Sequence, residues 1–428
     1  MEKYRLFHPV MEVRRTEMDF PYPLPLLLDG AIGTNLVHRE NMPLEQCPEQ
    51  WMLRHPHALI SLQKDFVCAG SRVLHAPTFQ TNSFALEKYG LAAEDLRLTG
   101  ELVALTKQAA DGQVLVAGSL GPTGRGMEPF EEFRFQQIVD VYRRQAQEMR
   151  RQGVDLIACE TMTSLSDARA ALLAAKETGL PVLVSVASTG EQGEMPDGTQ
   201  LLCALAVLQS MGADAFGITC SGAPEQVLPW YLQIAPYAKV PLLAKPNPGN
   251  PNPVHLGQYD LGPEIFAAEA GRLIEAGVSI IGGCCGTSPE HIEALADFLR
   301  TGADNPVANC PKDGALMAAS GREVFFLGEE MTMGEPLSCK FDMADDILEY
   351  EDSGYDLLPI AVETEDDVYH LSLNSHMFRL PVWLTSHSCE LMQQALFEFQ
   401  GRALIDSRGG LEDYELDKLA KRYGAIVY

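Results

Sequence analysis

Three cysteines are the residues of this sequence whose types and spacing most clearly indicate chemistry. Cys220 follows the apolar run AFGIT (215–219), and the adjacent Cys284 and Cys285 follow VSIIGG (278–283). Two adjacent cysteines can hardly form a disulfide with each other, because a disulfide places its Cα atoms about 5.5 Å apart, whereas consecutive Cα atoms lie about 3.8 Å apart. The pair therefore has another use.

Metal binding is the use that these thiols suggest. Zinc binds thiolate sulfur at about 2.3 Å in tetrahedral geometry, and a catalytic site keeps one of the four positions open for water or substrate. If Cys220 lies beside Cys284 and Cys285 in the folded chain, the three sulfurs form such a site, and the flanking glycines let the backbone pass close to the metal. The alternative is that the three thiols are small buried apolar side chains.

The elements that would position these residues are short apolar runs separated by stretches with helical spacing. Eight runs occur in the first part of the chain: LPLLL (24–28), RVLHA (72–76), VLVAG (114–118), DLIAC (155–159), VLVSVA (182–187), AFGIT (215–219), PLLAK (241–245) and VSIIGG (278–283). Several of the intervening stretches end at Gly, as helices do. The alternation predicts a (β/α)8 TIM barrel, with an open doubly wound sheet as the alternative.

Functional residues of such a barrel lie just past the C-terminal ends of the strands. This rule places three thiols and two carboxylates on one rim, the carboxylates being Asp29 after the first run and Glu160 after the fourth. Asn82 and Asn247 lie in rim loops after the second and seventh runs. The structural alternatives are a helix cap or turn for Asp29, a buried ion pair for Glu160, and a turn for Asn247.

At these residues the sequence resembles the homocysteine S-methyltransferase family, which includes betaine-homocysteine methyltransferase and the homocysteine-binding module of cobalamin-dependent methionine synthase. The matching stretches follow the family's order: LLLDGAIGTNL (26–36), TFQTNSFAL (78–86), VAGSLGPTGRG (116–126), CETMTSLSDA (159–168), GITCSGAPEQVLP (217–229), KPNPGNPN (245–252) and GGCCGTSPEHI (282–292). The resemblance implies zinc held by Cys220, Cys284 and Cys285, with the homocysteine sulfur as the fourth ligand.

The resemblance also implies roles for the rim's polar residues. Family members use the acidic residues matching Asp29 and Glu160 near the amino-acid end of the substrate, and we expect these two as catalytic and substrate-binding residues. Asn82 and Asn247 are expected substrate contacts. The chain departs from the family at Thr219, where the family commonly has Asn.

The last part of the sequence differs in charge from the first. Residues 311–428 hold 9 Lys and Arg against 23 Asp and Glu. The run from 380 to 428 resembles part of the pterin-binding barrel of methionine synthase, although about five strand-like runs are too few to close a barrel. We therefore predict a zinc barrel over 1–310 and an acidic, smaller α/β domain over 311–428, which packs or docks a partner and binds no folate.

Composition restricts the partners. The 428 residues carry a formal net charge of −27, which argues against a nucleic-acid or anionic-membrane surface because phosphates would be repelled. No apolar run approaches the roughly 20 residues of a membrane helix, and the N-terminus has no apolar signal core. The ten scattered cysteines are unlike a secreted disulfide scaffold. We therefore expect a cytoplasmic protein.

The expected function is zinc-dependent transfer of a methyl group to the thiol of homocysteine, which gives methionine. The resemblance favours a detached methionine-synthase module that uses a methyl-corrinoid protein or another methyl donor in trans. One alternative is a non-catalytic, zinc-binding docking subunit of a corrinoid methyltransferase system. A thiol redox protein is a third reading, but the adjacent cysteines lack the C-x-x-C spacing that it needs.

Overall fold

The structure is a computed structural model that describes residues 3–5, 20–252, 259–302 and 312–428. Its strands are β1 (Lys3–Arg5), β2 (Leu26–Leu27), β3 (Val73–Ala76), β4 (Leu115–Leu120), β5 (Leu156–Met162), β6 (Val182–Val186), β7 (Ala215–Thr219), β8 (Leu242–Lys245), β9 (Val278–Ile281), β10 (Met317–Ala319), β11 (Val324–Phe326), β12 (Glu330–Thr332), β13 (Leu337–Ser338), β14 (Leu358–Ala361), β15 (Val382–Thr385), β16 (Leu404–Ile405) and β17 (Ile426–Val427). The predicted boundary between residues 310 and 311 falls outside the described ranges and stays a prediction.

The helices of the described ranges alternate with these strands. They are α1 (Gly33–Glu40), α2 (Pro48–Arg54), α3 (Pro56–Cys68), α4 (Ser83–Glu87), α5 (Asp95–Ala110), α6 (Phe135–Gln152), α7 (Leu165–Lys176), α8 (Leu201–Ser210), α9 (Pro224–Ile234), α10 (Pro263–Glu275), α11 (Pro289–Gly302), α12 (Ala344–Asp352), α13 (Glu365–Asn374), α14 (Cys389–Glu398) and α15 (Asp413–Tyr423). None of the described helices is long and apolar enough to span a membrane.

The larger sheet is the predicted barrel. Within the described residues, eight parallel strands follow the order β2-β9-β8-β7-β6-β5-β4-β3. The two end strands meet through one parallel bridge between Leu28 and Val73, and the N–H of Arg72 donates to the carbonyl of Leu27 at 2.8 Å. The (β/α)8 barrel is therefore confirmed, and the open doubly wound sheet is not observed.

The apolar runs that predicted the barrel correspond to strands that are buried on both faces. One apolar cluster, which includes Leu28, Leu156 and Ile280, contains residues of the barrel strands. A second and larger cluster packs the strands against the surrounding helices. Parallel strands with helices outside and side chains inside have no solvent face, so their sequences read as unbroken apolar runs.

The last part of the chain forms a smaller α/β unit. Five strands of its described residues make a parallel sheet in the order β13-β14-β15-β16-β17. One set of apolar side chains in this unit joins Trp383, Leu404 and Ile426 of the sheet to Met331 and Met333, which belong to β12 and the residues after it. The predicted smaller α/β domain is thus confirmed, and its final strand lies in the run GAIVY, as expected.

The smaller unit packs directly on the barrel's helices. Helix α8 is buried along its length from Leu201 to Gln209, because β10 and β11 lie against it. Arg169 of α7 is fully buried and donates from Nη1 to Gln400 Oε1 at 2.7 Å. A barrel helix normally has a polar outer face, so the apolar sequence of α8 reflects its position between two packed layers.

Candidate active site

The three cysteines converge at the C-terminal ends of neighbouring strands. Cys220 directly follows β7, whereas Cys284 and Cys285 follow β9, and β8 lies between those two strands. The backbone at the end of β8 aligns both segments, because the carbonyl of Lys245, its last residue, accepts the N–H of Cys220 at 3.1 Å and the carbonyl of the next residue, Pro246, accepts the N–H of Cys284 at 2.9 Å. The sulfurs therefore face one point from two sides.

The geometry of the thiol cluster fits a metal ion. The Sγ atoms of Cys220, Cys284 and Cys285 all lie within 4.8 Å of one another, and those of Cys220 and Cys285 are 3.4 Å apart. Tetrahedral zinc with bonds of about 2.3 Å requires sulfurs about 3.8 Å apart. All three thiols are partly buried rather than sealed in the core. Three soft ligands with an open side match a catalytic zinc site better than a structural one.

Hydrogen bonds within the cluster shift the pKa values of the thiols in opposite directions. Hydrogen bonds from Cys220 and Cys284 stabilise the thiolate of Cys285 and hold the pKa of that thiol below its ordinary value. The same contacts raise the pKa of Cys284, since its own proton is shared with the neighbouring sulfurs. The cluster thus carries one preferred thiolate, which is the form that binds metal.

Tyr259 lies beside the cluster and was not predicted. Burial, followed by the negative charge of Cys285 and the other two sulfurs, raises the pKa of its hydroxyl. Its ring packs against Gly286, where an added Cβ would stand 2.1 Å from the ring carbon Cδ2. Glycine at that position therefore lets an aromatic ring approach the three sulfurs closely.

A network of buried charges lies on the same rim. Asp29 accepts two hydrogen bonds from His75, one from the backbone N–H to Oδ2 at 2.8 Å and one from the ring Nδ1 to Oδ1 at 2.6 Å. The other ring nitrogen of His75 lies 3.6 Å from Oε1 of Glu160. The structure thus brings the two predicted carboxylates together through a histidine between them.

Glu160 is the centre of this network. Lys245 Nζ donates to its Oε1 at 2.6 Å and Ser119 Oγ donates to its Oε2 at 2.8 Å. Burial by itself would raise the pKa of this carboxyl, but the charges of His75 and Lys245 and the two hydrogen bonds lower it to about 2. In turn, burial would lower the pKa of the Lys245 ammonium, but Glu160 and Asp29 outweigh it and raise that pKa. Glu160 is therefore an ionised carboxylate at neutral pH.

The two asparagines occupy separate loops. Asn82 caps α4, because its Oδ1 accepts the N–H of Ala85 at 2.8 Å. The N–H of Asn247 donates to the carbonyl of Gly222 in a separate loop at 2.8 Å, and its own carbonyl accepts the N–H of Gly249 at 2.9 Å. Asn82 Nδ2, Asn247 Oδ1 and Thr219 Oγ1 are buried without a hydrogen-bond partner in the described part of the chain. Each leaves a polar atom available to a ligand.

Backbone strain is concentrated at the same rim. Among the described residues other than glycine, Asn41, Asp111, Thr161 and Cys220 have positive φ. Asn41 and Asp111 end helices, where this conformation is common. Thr161 follows Glu160 directly, and Cys220 is itself a cluster thiol with φ of 59°. Strain of this kind persists where the surrounding structure fixes a side chain's direction.

The sequence contained a signal for the side chains that were missed. His75 and Lys245 are polar residues at the C-terminal ends of the runs RVLHA and PLLAK, and both runs were interpreted only as strands. A charged residue at the rim end of a buried strand needs a partner. Applying that rule to strand ends, and not only to the loops after them, identifies both residues.

The fold and the rim together define a class: (β/α)8-barrel enzymes with a thiol cluster of the metal-binding type at the C-terminal rim. Within this class the family is identified by the chain's own residues. Residues 26–299 match the family model described as homocysteine S-methyltransferase. The chain belongs to this family.

Similar proteins agree with this assignment. Methionine synthase of Mycobacterium leprae (strain TN) is 29% identical over 287 residues, which are 63% of this chain and 24% of that protein. The chain thus matches only about a quarter of that relative's length. Crystal structures of the homocysteine methyltransferase MmuM from Escherichia coli, in its oxidised and metallated forms, are 25% identical with a TM-score of 0.55, and the match covers 64% of this chain and 95% of theirs.

Proposed function

We propose that this protein transfers a methyl group to the sulfur of homocysteine and forms methionine, with zinc as its metal. The observation that carries the proposal is the convergence of three cysteine sulfurs within 4.8 Å of one another on the barrel rim. The family model supports the substrate class, and the metallated form of MmuM supports a metal in a related protein.

Cys220, Cys284 and Cys285 would hold the zinc, and the remaining tetrahedral position would accept the substrate's thiol. Zinc bound there supplies one chemical effect, which is to keep a coordinated thiol deprotonated at neutral pH although a free thiol has a pKa near 8.5. Lys245 places a positive charge near this group of sulfurs. The thiol proton of the substrate would pass to solvent when the thiol binds, so the transfer step would need no separate general base.

Glu160 is the proposed acceptor for the ammonium group of homocysteine. A carboxylate offers about four lone-pair sites, and two are taken by Lys245 and Ser119. Glu160 therefore keeps capacity for another donor, and its side chain retains 11% exposure at the rim. We also propose Asn82 and Asn247 as substrate contacts, because each has a buried amide atom without a partner among the described residues.

The transfer step is a displacement at carbon. The homocysteine sulfur attacks the methyl carbon in line, a carbon–sulfur bond forms while the bond from the methyl group to its carrier breaks, and the electron pair leaves with the carrier. Holding the substrate by its sulfur at one end and its ammonium group at the other orients it for this attack, which is where much of the acceleration arises.

The donor is the finer part of the proposal. We propose a methyl-corrinoid carried by another protein, with other activated methyl compounds as alternatives. The resemblance to cobalamin-dependent methionine synthase supports this choice, as does the 29% identity to the Mycobacterium leprae methionine synthase.

The test is X-ray absorption at the zinc edge combined with methionine formation. Zinc-loaded protein should change from three sulfur ligands plus one light atom to four sulfurs when homocysteine is added. Methionine should then form with a methyl-corrinoid donor in the wild type and in Cys389→Ser, since Cys389 lies in the smaller unit, but not in Cys285→Ser. An unchanged spectrum with homocysteine would show that the acceptor is another molecule.

A further inference from the structure

Two backbone segments of the rim hold Tyr259 beside the adjacent cysteines. Residues 284–287 form a turn, because the N–H of Thr287 donates to the carbonyl of Cys284 at 3.0 Å. Gly286 is the third residue of this turn and has a φ of 86°, which glycine adopts without strain. An antiparallel bridge joins Tyr259 to Pro251, in the loop that follows β8. The position of the tyrosine is therefore set by the rim itself.

Within the cluster, Cys285 is the sulfur that Tyr259 faces. The ring packs against Gly286, which follows Cys285 directly. Burial is the largest cause that raises the pKa of the Tyr259 hydroxyl, followed by the charge of Cys285 and then by those of Cys220 and Cys284. A hydrogen bond with Cys285 raises the same pKa further. The side chain thus has its ring on the turn and its hydroxyl at one thiolate.

The proposed reaction requires that the cysteine sulfurs do not react with the methyl donor. When the substrate thiolate is bound, the site holds four sulfurs, and three of them belong to the protein. If Cys285 attacked the methyl carbon, a carbon–sulfur bond would form and the electron pair would leave with the carrier. The resulting thioether would no longer be a thiolate, which is the form that binds metal. The site must therefore favour the substrate's sulfur over its own.

We propose that Tyr259 shields the sulfur of Cys285, so that the methyl group is transferred to the substrate and not to the protein. The ring covers the turn on the side of Cys285 and restricts the approach of a methyl donor to that sulfur. The hydroxyl donates a hydrogen bond to the thiolate, which stabilises its charge and makes it less reactive. This inference rests on the proposed function, because it assumes zinc-bound thiolates and a methyl donor.

The experiment measures methylation of individual cysteines in the zinc-loaded full chain. Wild type, Tyr259→Phe and Tyr259→Ala are incubated with methyl iodide, and mass spectrometry of their peptides gives the rate at each thiol. Cys285 should be methylated at least about threefold faster in Tyr259→Phe and about 10-fold faster or more in Tyr259→Ala, the size of one hydrogen bond to a charged group or more. Cys68 is exposed at the end of α3 and should react at one rate in all three proteins.

Two controls separate shielding of one sulfur from general damage to the site. The rates at Cys220 and Cys284 should change less than the rate at Cys285, because the hydroxyl faces Cys285. Tyr414→Phe is the matched variant, since Tyr414 lies in α15 of the smaller unit and is 77% exposed. It should leave the rate at Cys285 unchanged.

Zinc binding distinguishes the possible failures. Tyr259→Phe keeps the ring that packs on Gly286, so it should bind zinc as tightly as wild type and keeps the inference testable if Tyr259→Ala does not fold. Loss of zinc from Tyr259→Phe, or equal rates at Cys285 in wild type and Tyr259→Phe, would overturn the inference. A wild-type zinc spectrum that does not change with homocysteine would overturn the proposed function itself, whereas the rates at Cys285 can still be compared.

Discussion

At the scale of single residues, the barrel rim brings together side chains that lie far apart in the sequence. The sulfurs of Cys220, Cys284 and Cys285 lie within 4.8 Å of one another, although Cys220 and Cys284 are 64 positions apart. His75 lies beside two carboxylates that are 46 and 85 positions away in sequence, and only the closed barrel places them there. Strand-end positions were enough to predict the thiols, but the partners of the histidine follow only from the fold.

The zinc assignment predicts a specific loss of metal. Cys285→Ala should lower zinc affinity at least about 100-fold, because the loss of a ligand costs no less than the loss of a supporting contact. Cys159→Ala is the matched control, since Cys159 is a buried thiol in the middle of β5 and outside the cluster. Competition with a chromogenic chelator measures both. Unchanged zinc affinity in Cys285→Ala would contradict the assignment of Cys285 as a zinc ligand.

The charge network predicts a particular loss of stability in acid. The pKa of Glu160 is lowered to about 2 in the folded protein, so its contribution to stability is complete above the ordinary carboxyl pKa near 4.5. That contribution is lost as the pH falls from about 4.5 toward 2, and the shift corresponds to about 3 kcal/mol.

Glu160→Gln measures this contribution. It should be less stable than wild type by about 3 kcal/mol at pH 7, because Lys245 is left buried without its carboxylate. The difference should shrink as the pH falls below about 4.5. Urea unfolding at a series of pH values tests this, and a difference that does not depend on pH would contradict the assigned pKa.

At the scale of elements, strands were easier to predict than the surroundings of the helices. Each of the eight barrel strands overlaps a predicted run, because a strand buried on both faces leaves a continuous apolar signal. Six strands lie within their runs, whereas β4 and β5 continue two and three residues further toward the rim. Helix α8 shows the limit of this approach. Its sequence LLCALAVLQS is apolar all round, and apolar composition shows that a helix is covered without showing what covers it. The covering β10–β11 hairpin lies more than 100 residues further along the chain.

The interface over α8 predicts the effect of a buried charge. Cys203 is fully buried in α8, and its thiol donates to the carbonyl of Ser320 at 3.6 Å. Cys203→Asp should lower the free energy of unfolding by about 3 kcal/mol or more, because a carboxylate there is fully buried and lies near the negative charges of Asp197 and Glu323. Cys68→Asp introduces the same change at the exposed end of α3 and should have an effect within about 0.5 kcal/mol. Chemical denaturation compares the two.

At the scale of the whole molecule, charge and packing give the two units different roles. The barrel carries the thiols and the buried charge network, whereas the smaller unit holds 23 of the 59 acidic residues and covers barrel helices. This unit has the α/β architecture that the sequence predicted, with a parallel sheet, whereas its fainter resemblance to a pterin-binding barrel stays a prediction. The sequence could not show that Met331 and Met333 cover apolar side chains of its sheet, because those contacts join residues far apart in the chain.

The covered sheet predicts that the smaller unit binds no folate. A ligand pocket needs a concave surface with convergent polar groups, whereas Met331, Met333, Trp383 and Leu404 belong to one buried apolar cluster. Titration of the full chain with methyltetrahydrofolate should show no saturable heat. Added corrinoid protein should not change that result, and saturable binding by the chain alone would show that the sheet opens to a ligand.

The closure of the barrel has a consequence for its motions. Only one parallel bridge joins β2 to β3 in the described chain. At this seam between the two strands, the carboxylate of Asp29 accepts two hydrogen bonds from His75, one from the backbone N–H and one from the ring Nδ1. Local opening follows the least protected contacts, so exchange of the His75 amide hydrogen with deuterium reports on this seam. A ligand bound by Glu160 should slow the exchange of the His75 amide hydrogen. Measuring this exchange would therefore show whether the site is occupied without a methyl donor and without chemical turnover.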